Sequence, residues 1–350
     1  MTADTATGFW NGRPVRVLGG SGFLGRHLVR QLAEQGAAVR TLSLGGTPLD
    51  IPSVEERTGD ATDPAAVRSF FDGGEVVFVT AGPVGVGGAT ARKMGAHTAV
   101  IRTALDALPA RARLVLTSSI VTLGATRGAT LTEDNTDGED VGVEYVRAKR
   151  AAEEVAVAAA AAGHDVVVVN PGYLFGPDDP GPSVMGDVCI HYWRGHVAFA
   201  PPGGINVVDV RDVADGHLLA AERGVCGRRY VLGGENVRYR GLFEALARVA
   251  GLRRRFLPEL GPVLAPGVMR AAAVVAELQH RVTGREPFPS FELVRMNTRC
   301  WFASSARAAA ELGYLSRPLA DTLADAFAWH AARTRVRPRG LNRLWLRPAA

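Results

Sequence analysis

The chain has 350 residues, 47% of them hydrophobic and 21% charged, which suits one large α/β domain or a domain with an added lobe. Its formal charge of +5 rests on 38 Arg and only 2 Lys in an Ala- and Gly-rich background. That bias reads as genome composition, and with no nucleic-acid-binding motif beside it no nucleic-acid partner is expected. Cys189, Cys226 and Cys300 are far apart and form no C-x-x-C pair, so neither a disulfide framework nor a metal site is expected.

The opening stretch MTADTATGFWNGRP lacks a basic region followed by an apolar core, and no apolar run approaches roughly 18 residues. A cytoplasmic protein without stable membrane insertion is the expectation. Val17–Val29, VLGGSGFLGRHLV, reads as a strand breaking into a glycine turn and then a helix. Gly20, Gly22 and Gly25 fit G-x-G-x-x-G, while Gly19, Gly22 and Gly25 fit G-x-x-G-x-x-G. Glycines there let the backbone approach a pyrophosphate, and the helix N-terminus attracts the anion.

Further apolar β runs follow at Val39–Leu42, Val76–Thr80, Leu114–Thr117 and Val166–Asn170, with helical stretches between them. This alternation predicts a Rossmann-type doubly wound parallel sheet, α/β in class, with a smaller, mostly helical C-terminal substrate lobe. From Tyr173 onward Gly and Pro thicken and the alternation stops, although Ile205–Gly224 returns to strand then helix and RRYVLGG adds a short strand. The expected organisation is a dinucleotide-binding domain over 1–175, rejoined by about 205–235. A substrate lobe covers 176–204 and 236–330, and a basic tail 331–350. Arg240–Ala250, Val268–Val282 and Ser305–Leu312 read as helices, Gly176–Gly186 as a mobile lid, and the Arg-dense tail as solvated.

The helix EYVRAKRAAEEVAVAAAAAG carries Tyr145 and Lys149 four residues apart, on one face. A cation beside a phenol lowers its pKa from roughly 10 and makes it a usable general acid or base. With 6 Tyr and 2 Lys in the chain, some Tyr-x-x-x-Lys pair arises by chance at about 3%, so coincidence is a poor explanation. Arg113–Gly124, RLVLTSSIVTLG, reads as a strand ending in Thr117, Ser118 and Ser119. Hydroxyls at the carboxyl end of a parallel strand face the ligand crevice.

Taken in order, these motifs resemble the extended short-chain dehydrogenase/reductase family. GDATD (Gly59–Asp63), NPGYLFGP (Asn170–Pro177), VVDVRDVADGH and SSARAAAELGY complete the likeness, which spans roughly 14–330. TSSIVTLG, VVNPGYLFGP, GHLLAAERG and YVLGGEN place it nearest to dihydroflavonol-reductase-like proteins and the hopanoid-associated sugar epimerase/dehydrogenase group. The resemblance implies Ser119 polarising a carbonyl, Tyr145 exchanging the proton, and Lys149 holding the nicotinamide ribose and tuning Tyr145. It also implies a dinucleotide on Gly19, Gly22, Phe23, Leu24, Gly25 and Arg26, with Asp60 and Ala61 near the adenine. Thr80, Ala81, Gly82, Lys149 and Pro171 lie along the cofactor in this reading. His97 stands where relatives often carry Asn.

No Asp follows the second strand to bind a ribose 2′-hydroxyl, and Ser43 and Arg26 are in place for a 2′-phosphate, so the cofactor expectation leans to NADP over NAD. The expected activity is NAD(P)H-dependent reduction of a hydrophobic small-molecule ketone, with a possible homodimer as assembly. One alternative is a nucleotide-sugar epimerase or dehydratase that retains NAD. Another is a non-catalytic dinucleotide-sensing regulator, which would have no use for the Tyr145/Lys149 pair.

Overall fold

The computed structural model describes residues 8–83, 94–135, 138–197, 199–254, 264–283, 290–336 and 346–348. Five buried apolar runs form the centre of a parallel sheet: β1 (Pro14–Leu18), β2 (Ala38–Ser43), β4 (Val76–Val79), β5 (Arg113–Thr117) and β7 (Val166–Pro171). Edge strands β3 (Glu55–Thr58) and β10 (Arg229–Leu232) complete the order β10-β7-β5-β4-β1-β2-β3, every pairing parallel. The strand order switches direction at β1, and the crevice at that switch point, between β1 and β4, is where such sheets bind ligands.

Helices cover both faces. α1 (Phe23–Glu34) packs on the side of β1 and β2, while α2 (Pro64–Phe71), α3 (Gly95–Ala107) and α4 (Glu144–Ala161) cover the other. α4 is rich in Ala, which has the highest helix propensity and lets the helix lie close to the sheet. Each face contributes its own hydrophobic cluster, with Val15, Val17 and Phe78 on one side and Leu18, Val77 and Val79 on the other. That two-sided burial is why these strands read as continuous apolar runs.

Within 205–235, Arg229–Leu232 rejoins the large sheet beside β7, and α6 (Val210–Arg223) packs on α1. β9 (Gly204–Asp209) instead runs through a second sheet, paired with β8 (Tyr173–Phe175), β11 (Glu235–Arg238) and β13 (Cys300–Ala303). β6 (Thr130–Leu131) closes its far edge against β13. α5 (Val184–Trp193), α7 (Tyr239–Val249) and α11 (Leu319–Arg333) pack on it, α8 (Leu264–Thr283) and α9 (Phe291–Asn297) pack on each other, and α10 (Ala306–Leu312) lies on α6 and β10 of the large sheet. The described parts of the expected tail are engaged: α11 runs to Arg333, and β14 (Leu346–Pro348) pairs antiparallel with β12 (Leu252–Arg254). Arg337, Arg339 and Arg343, three of the arginines expected in a solvated tail, lie outside the described residues.

Gly176–Gly186, expected as a lid, is anchored. Pro177 O bonds His27 Nε2 at 3.0 Å, and Asp178 is ion-paired with Arg26 at 3.1 Å and Arg30 at 2.8 Å. Those two arginines hold Asp178 at φ +59°, a left-handed conformation uncommon outside glycine. Ser183 then caps α5 by accepting from Gly186 N.

Candidate active site

β1 ends in the glycine turn at the centre of the crevice. Gly19 has φ +92°, and a Cβ there would sit 2.7 Å from Ala81 N and 2.9 Å from the Thr80 hydroxyl. The β4 end, Thr80–Gly82, therefore lies directly against the turn. A Cβ on Gly25 would approach Gly19 O to 2.1 Å, so α1 packs on the turn only because position 25 is bare. Gly22 stands at the N-cap of α1, and no side chain caps the helix or places a carboxylate in its first turn. The N–H groups of Phe23, Leu24 and Gly25 have no intrahelical acceptor and present an anion-binding end.

Around this turn, Ser43 Oγ accepts from Ser21 N at 3.1 Å, tying β2 to it. Asp60 accepts from the Thr62 amide and hydroxyl, both at 2.8 Å, which holds its carboxyl below the usual range, and Ala61 is buried beside it. Arg26 reaches Thr47 in the loop after β2 and is tied to Asp178: it is 5% exposed, ion-paired with that carboxylate and donating to Thr47 O at 3.2 Å.

The second corner lies where β5 ends and α4 begins. Ser119 leaves β5 with extended backbone and caps a 3-10 turn, Ile120–Leu123, while α4 brings Tyr145 and Lys149 alongside. The Ser119 hydroxyl is near enough to the Tyr145 phenol to pull its pKa down against the effect of burial. Lys149 donates from Nζ to Thr117 O at 3.1 Å. Val79, Ala81, His97, Leu116, Thr117, Ser118, Lys149 and Ala152 line a small crevice here, next to the Thr80–Gly82 end of the glycine turn. Pro171, at the end of β7, is buried close by in the sheet.

Two details differ from the reading of the sequence. Of the three hydroxyls at the end of β5 only that of Ser119 meets Tyr145, because Thr117 bonds His217 at 2.8 Å and Ser118 donates to Glu153 at 2.5 Å. The Tyr145 phenol is not lowered by Lys149: burial pushes it up to about 12, against the opposing pull of Ser119. Desolvation outweighs a cation whose ammonium is turned toward the strand carbonyl. Burial also brings Lys149 down to about 8, partly offset by the charge of Glu153.

Glu153 is the residue that motif reading missed. It is 5% exposed, and its Oε2 accepts from Ser118 at 2.5 Å, Thr122 at 3.0 Å and Asn170 at 2.8 Å, while Oε1 accepts from Arg229 at 3.1 Å. Asn170 Nδ2 also reaches Ser119 O at 3.2 Å. One carboxylate thus ties β5, β7, β10 and α4 together behind Ser119. The signal was present in the sequence, since Glu153 follows Lys149 by four residues and continues the face that carries Tyr145. His97 donates through Nε2 to Pro83 O at 2.9 Å, its ring centroid 6.1 Å from that of Tyr145. Burial and the nearby Lys149 hold it neutral, with its pKa down to about 3. Among the described residues no group of three or more His, Cys, Asp or Glu is placed to hold a metal.

A glycine turn at the switch point of a parallel sheet, with a Ser/Tyr/Lys corner beside it, defines a dinucleotide-dependent oxidoreductase site. Residues 15–233 match the model of the NAD dependent epimerase/dehydratase family, and the chain belongs to that family of extended short-chain dehydrogenases/reductases. It is an NAD(P)-dependent oxidoreductase of that type. It is 30% identical over 328 residues to a Synechocystis sp. protein assigned as a dihydroflavonol 4-reductase, covering 89% of this chain and 93% of that one. It is 29% identical to sterol demethylase protein B of Methylococcus capsulatus, over 91% and 98% of the two chains. The crystal structure of a nucleoside-diphosphate-sugar epimerase from Pseudomonas aeruginosa superposes with a TM-score of 0.70 at 25% identity, covering 91% and 98%. The bare turn and the uncapped end of α1 fit the dinucleotide this family takes. No helix among the described residues is long and apolar enough to cross a membrane.

Proposed function

We propose that the chain is a ketoreductase that prefers NADPH and acts on a hydrophobic small-molecule ketone. One observation carries this reading: the neighbouring Ser119 and Tyr145 hydroxyls adjoin an apolar, aromatic wall. Val141, Tyr145 and Tyr173 pack on a buried cluster that includes Tyr192, Tyr239 and Phe243, with the Tyr192 and Phe243 rings stacked at 4.9 Å. Such walls suit a ligand with large apolar surface and few polar handles. Arg194, Arg238 and Arg295, the cations available for a sugar diphosphate, donate instead to Arg335 O, Pro202 O and Gly142 O. The sterol in one relative's name and the reductase in the other's agree with this direction.

In this reading the Ser119 and Tyr145 hydroxyls receive the carbonyl oxygen. Tyr145, kept protonated through neutral pH by its burial, donates the proton that turns that oxygen into an alcohol. A bound nicotinamide supplies the hydride to the carbonyl carbon. Lys149 would hold the nicotinamide ribose once the cofactor is bound. Glu153 keeps Lys149 charged and fixes the Ser118–Ser119 strand end. Preference for NADPH is supported by the end of β2, where Ser43 and Leu44 stand and no carboxylate is available for a ribose 2′-hydroxyl.

The nucleotide-sugar epimerase remains the second reading, favoured by the Pseudomonas structure. A panel of aryl and terpenoid ketones beside UDP- and GDP-sugars, followed by loss of NADPH absorbance and by product epimer analysis, separates them. Ketone-dependent NADPH consumption is expected. Sugar turnover without net cofactor loss contradicts it.

A further inference from the structure

Three phenols, those of Tyr145, Tyr173 and Tyr239, gather at the Ser119 corner, and they differ in what they bond. Tyr145 neighbours Ser119, and Tyr239 on α7 donates to Asn297 Oδ1 at 2.7 Å. Tyr173, the first residue of β8, packs on the same cluster, with its hydroxyl in electrostatic range of both. That hydroxyl is buried and has no hydrogen-bond partner. A buried hydroxyl left unpaired is costly, and such groups are uncommon enough to need an explanation. Phenylalanine would fill the same space with nothing left unsatisfied. The register of β8 fixes the position, because Tyr173, Leu174 and Phe175 pair with Val207, Val208 and Asp209 of β9.

We propose that the Tyr173 hydroxyl is a specificity contact that hydrogen-bonds a second oxygen of the substrate, one carried close to the carbonyl held by Ser119 and Tyr145. The inference rests on the ketone-reduction reading and narrows it to oxygenated ketones, either hydroxy ketones or 3-oxo acyl compounds. A phenol both donates and accepts, so a hydroxyl or a second carbonyl satisfies it equally. A substrate lacking that oxygen leaves Tyr173 as it stands in the free protein and gains nothing from it. Sites built around a polar contact discriminate against analogues that lack the partner.

The test compares wild type with Tyr173→Phe on 2-hydroxyacetophenone, ethyl benzoylacetate and acetophenone, with NADPH. Wild type should favour the two oxygenated ketones. The variant should lower the kcat/KM ratio of each over acetophenone by about tenfold, with no fall in melting temperature, since no protein hydrogen bond is lost. An unchanged ratio overturns the assignment of Tyr173 while leaving ketone reduction intact. A lower melting temperature with a uniform loss on all three ketones makes Tyr173 a packing residue and also overturns it. Wild type inert toward all three contradicts the ketone reading itself, and the inference falls with it.

Discussion

At the glycine turn the protein works by leaving side chains out, and at the β5–α4 corner by stacking them on one buried carboxylate. Gly19 and Gly25 matter because a single Cβ would strike Ala81 N or Gly19 O. Ser119, Tyr145 and Lys149 matter through hydroxyls and charge, supported by Glu153 and its four hydrogen bonds. Backbone shape is set by volume and is indifferent to pH. The corner is set by protonation, so its failures should carry a pH signature that those of the turn lack.

The largest effect that separates the two corners is expected at the phenol. Tyr145→Phe should reduce kcat by about 10² or more while leaving NADPH affinity within a factor of about two, measured by steady-state kinetics and calorimetry. Gly19→Ala should act the opposite way, because it puts a side chain at φ +92° and against Ala81. It should weaken cofactor binding at least about tenfold and cost about 1–3 kcal/mol in denaturant unfolding, with the pH profile of residual activity unmoved.

Glu153→Gln sharpens the comparison. Lys149 loses its proton near 8, so wild-type kcat/KM should fall on the alkaline side through about 8, well below the phenol at about 12. Glu153 raises the Lys149 value, so removing its charge lowers it further. The alkaline limb should move to lower pH by about one unit, with a modest loss of kcat. A variant with lower activity but an unmoved limb would reduce Glu153 to a packing role. The smallest effect is expected at the adenosine end: Ser43→Asp should lower kcat/KM for NADPH about tenfold relative to NADH.

The same contrast explains what the sequence disclosed. β4, β5 and β7 are buried on both faces and show as apolar runs, whereas Glu55–Thr58 is wholly exposed and has no apolar signal of its own. The second sheet was hidden because short strands such as Tyr173–Phe175 depend on partners far along the chain. The Tyr145/Lys149 pair was legible from spacing, while the strand end offered three hydroxyls and only the family resemblance picked out Ser119. The number of lone pairs Glu153 satisfies, and the missing partner of Tyr173, are properties of packing that no spacing encodes. The raised Tyr145 phenol belongs with them, since helix spacing brings Lys149 near while burial decides which charge state is favoured.

The central claim is a reductase whose cofactor exchanges with solution at every turnover. Its most direct test is the nucleotide content of the purified protein, read by absorbance and chromatography after denaturation and followed by calorimetric titration of the stripped protein. The account predicts substoichiometric nucleotide, with NADPH rebinding in the low micromolar range and more tightly than NADH. Stoichiometric NAD retained through gel filtration and not displaced by NADPH would contradict it.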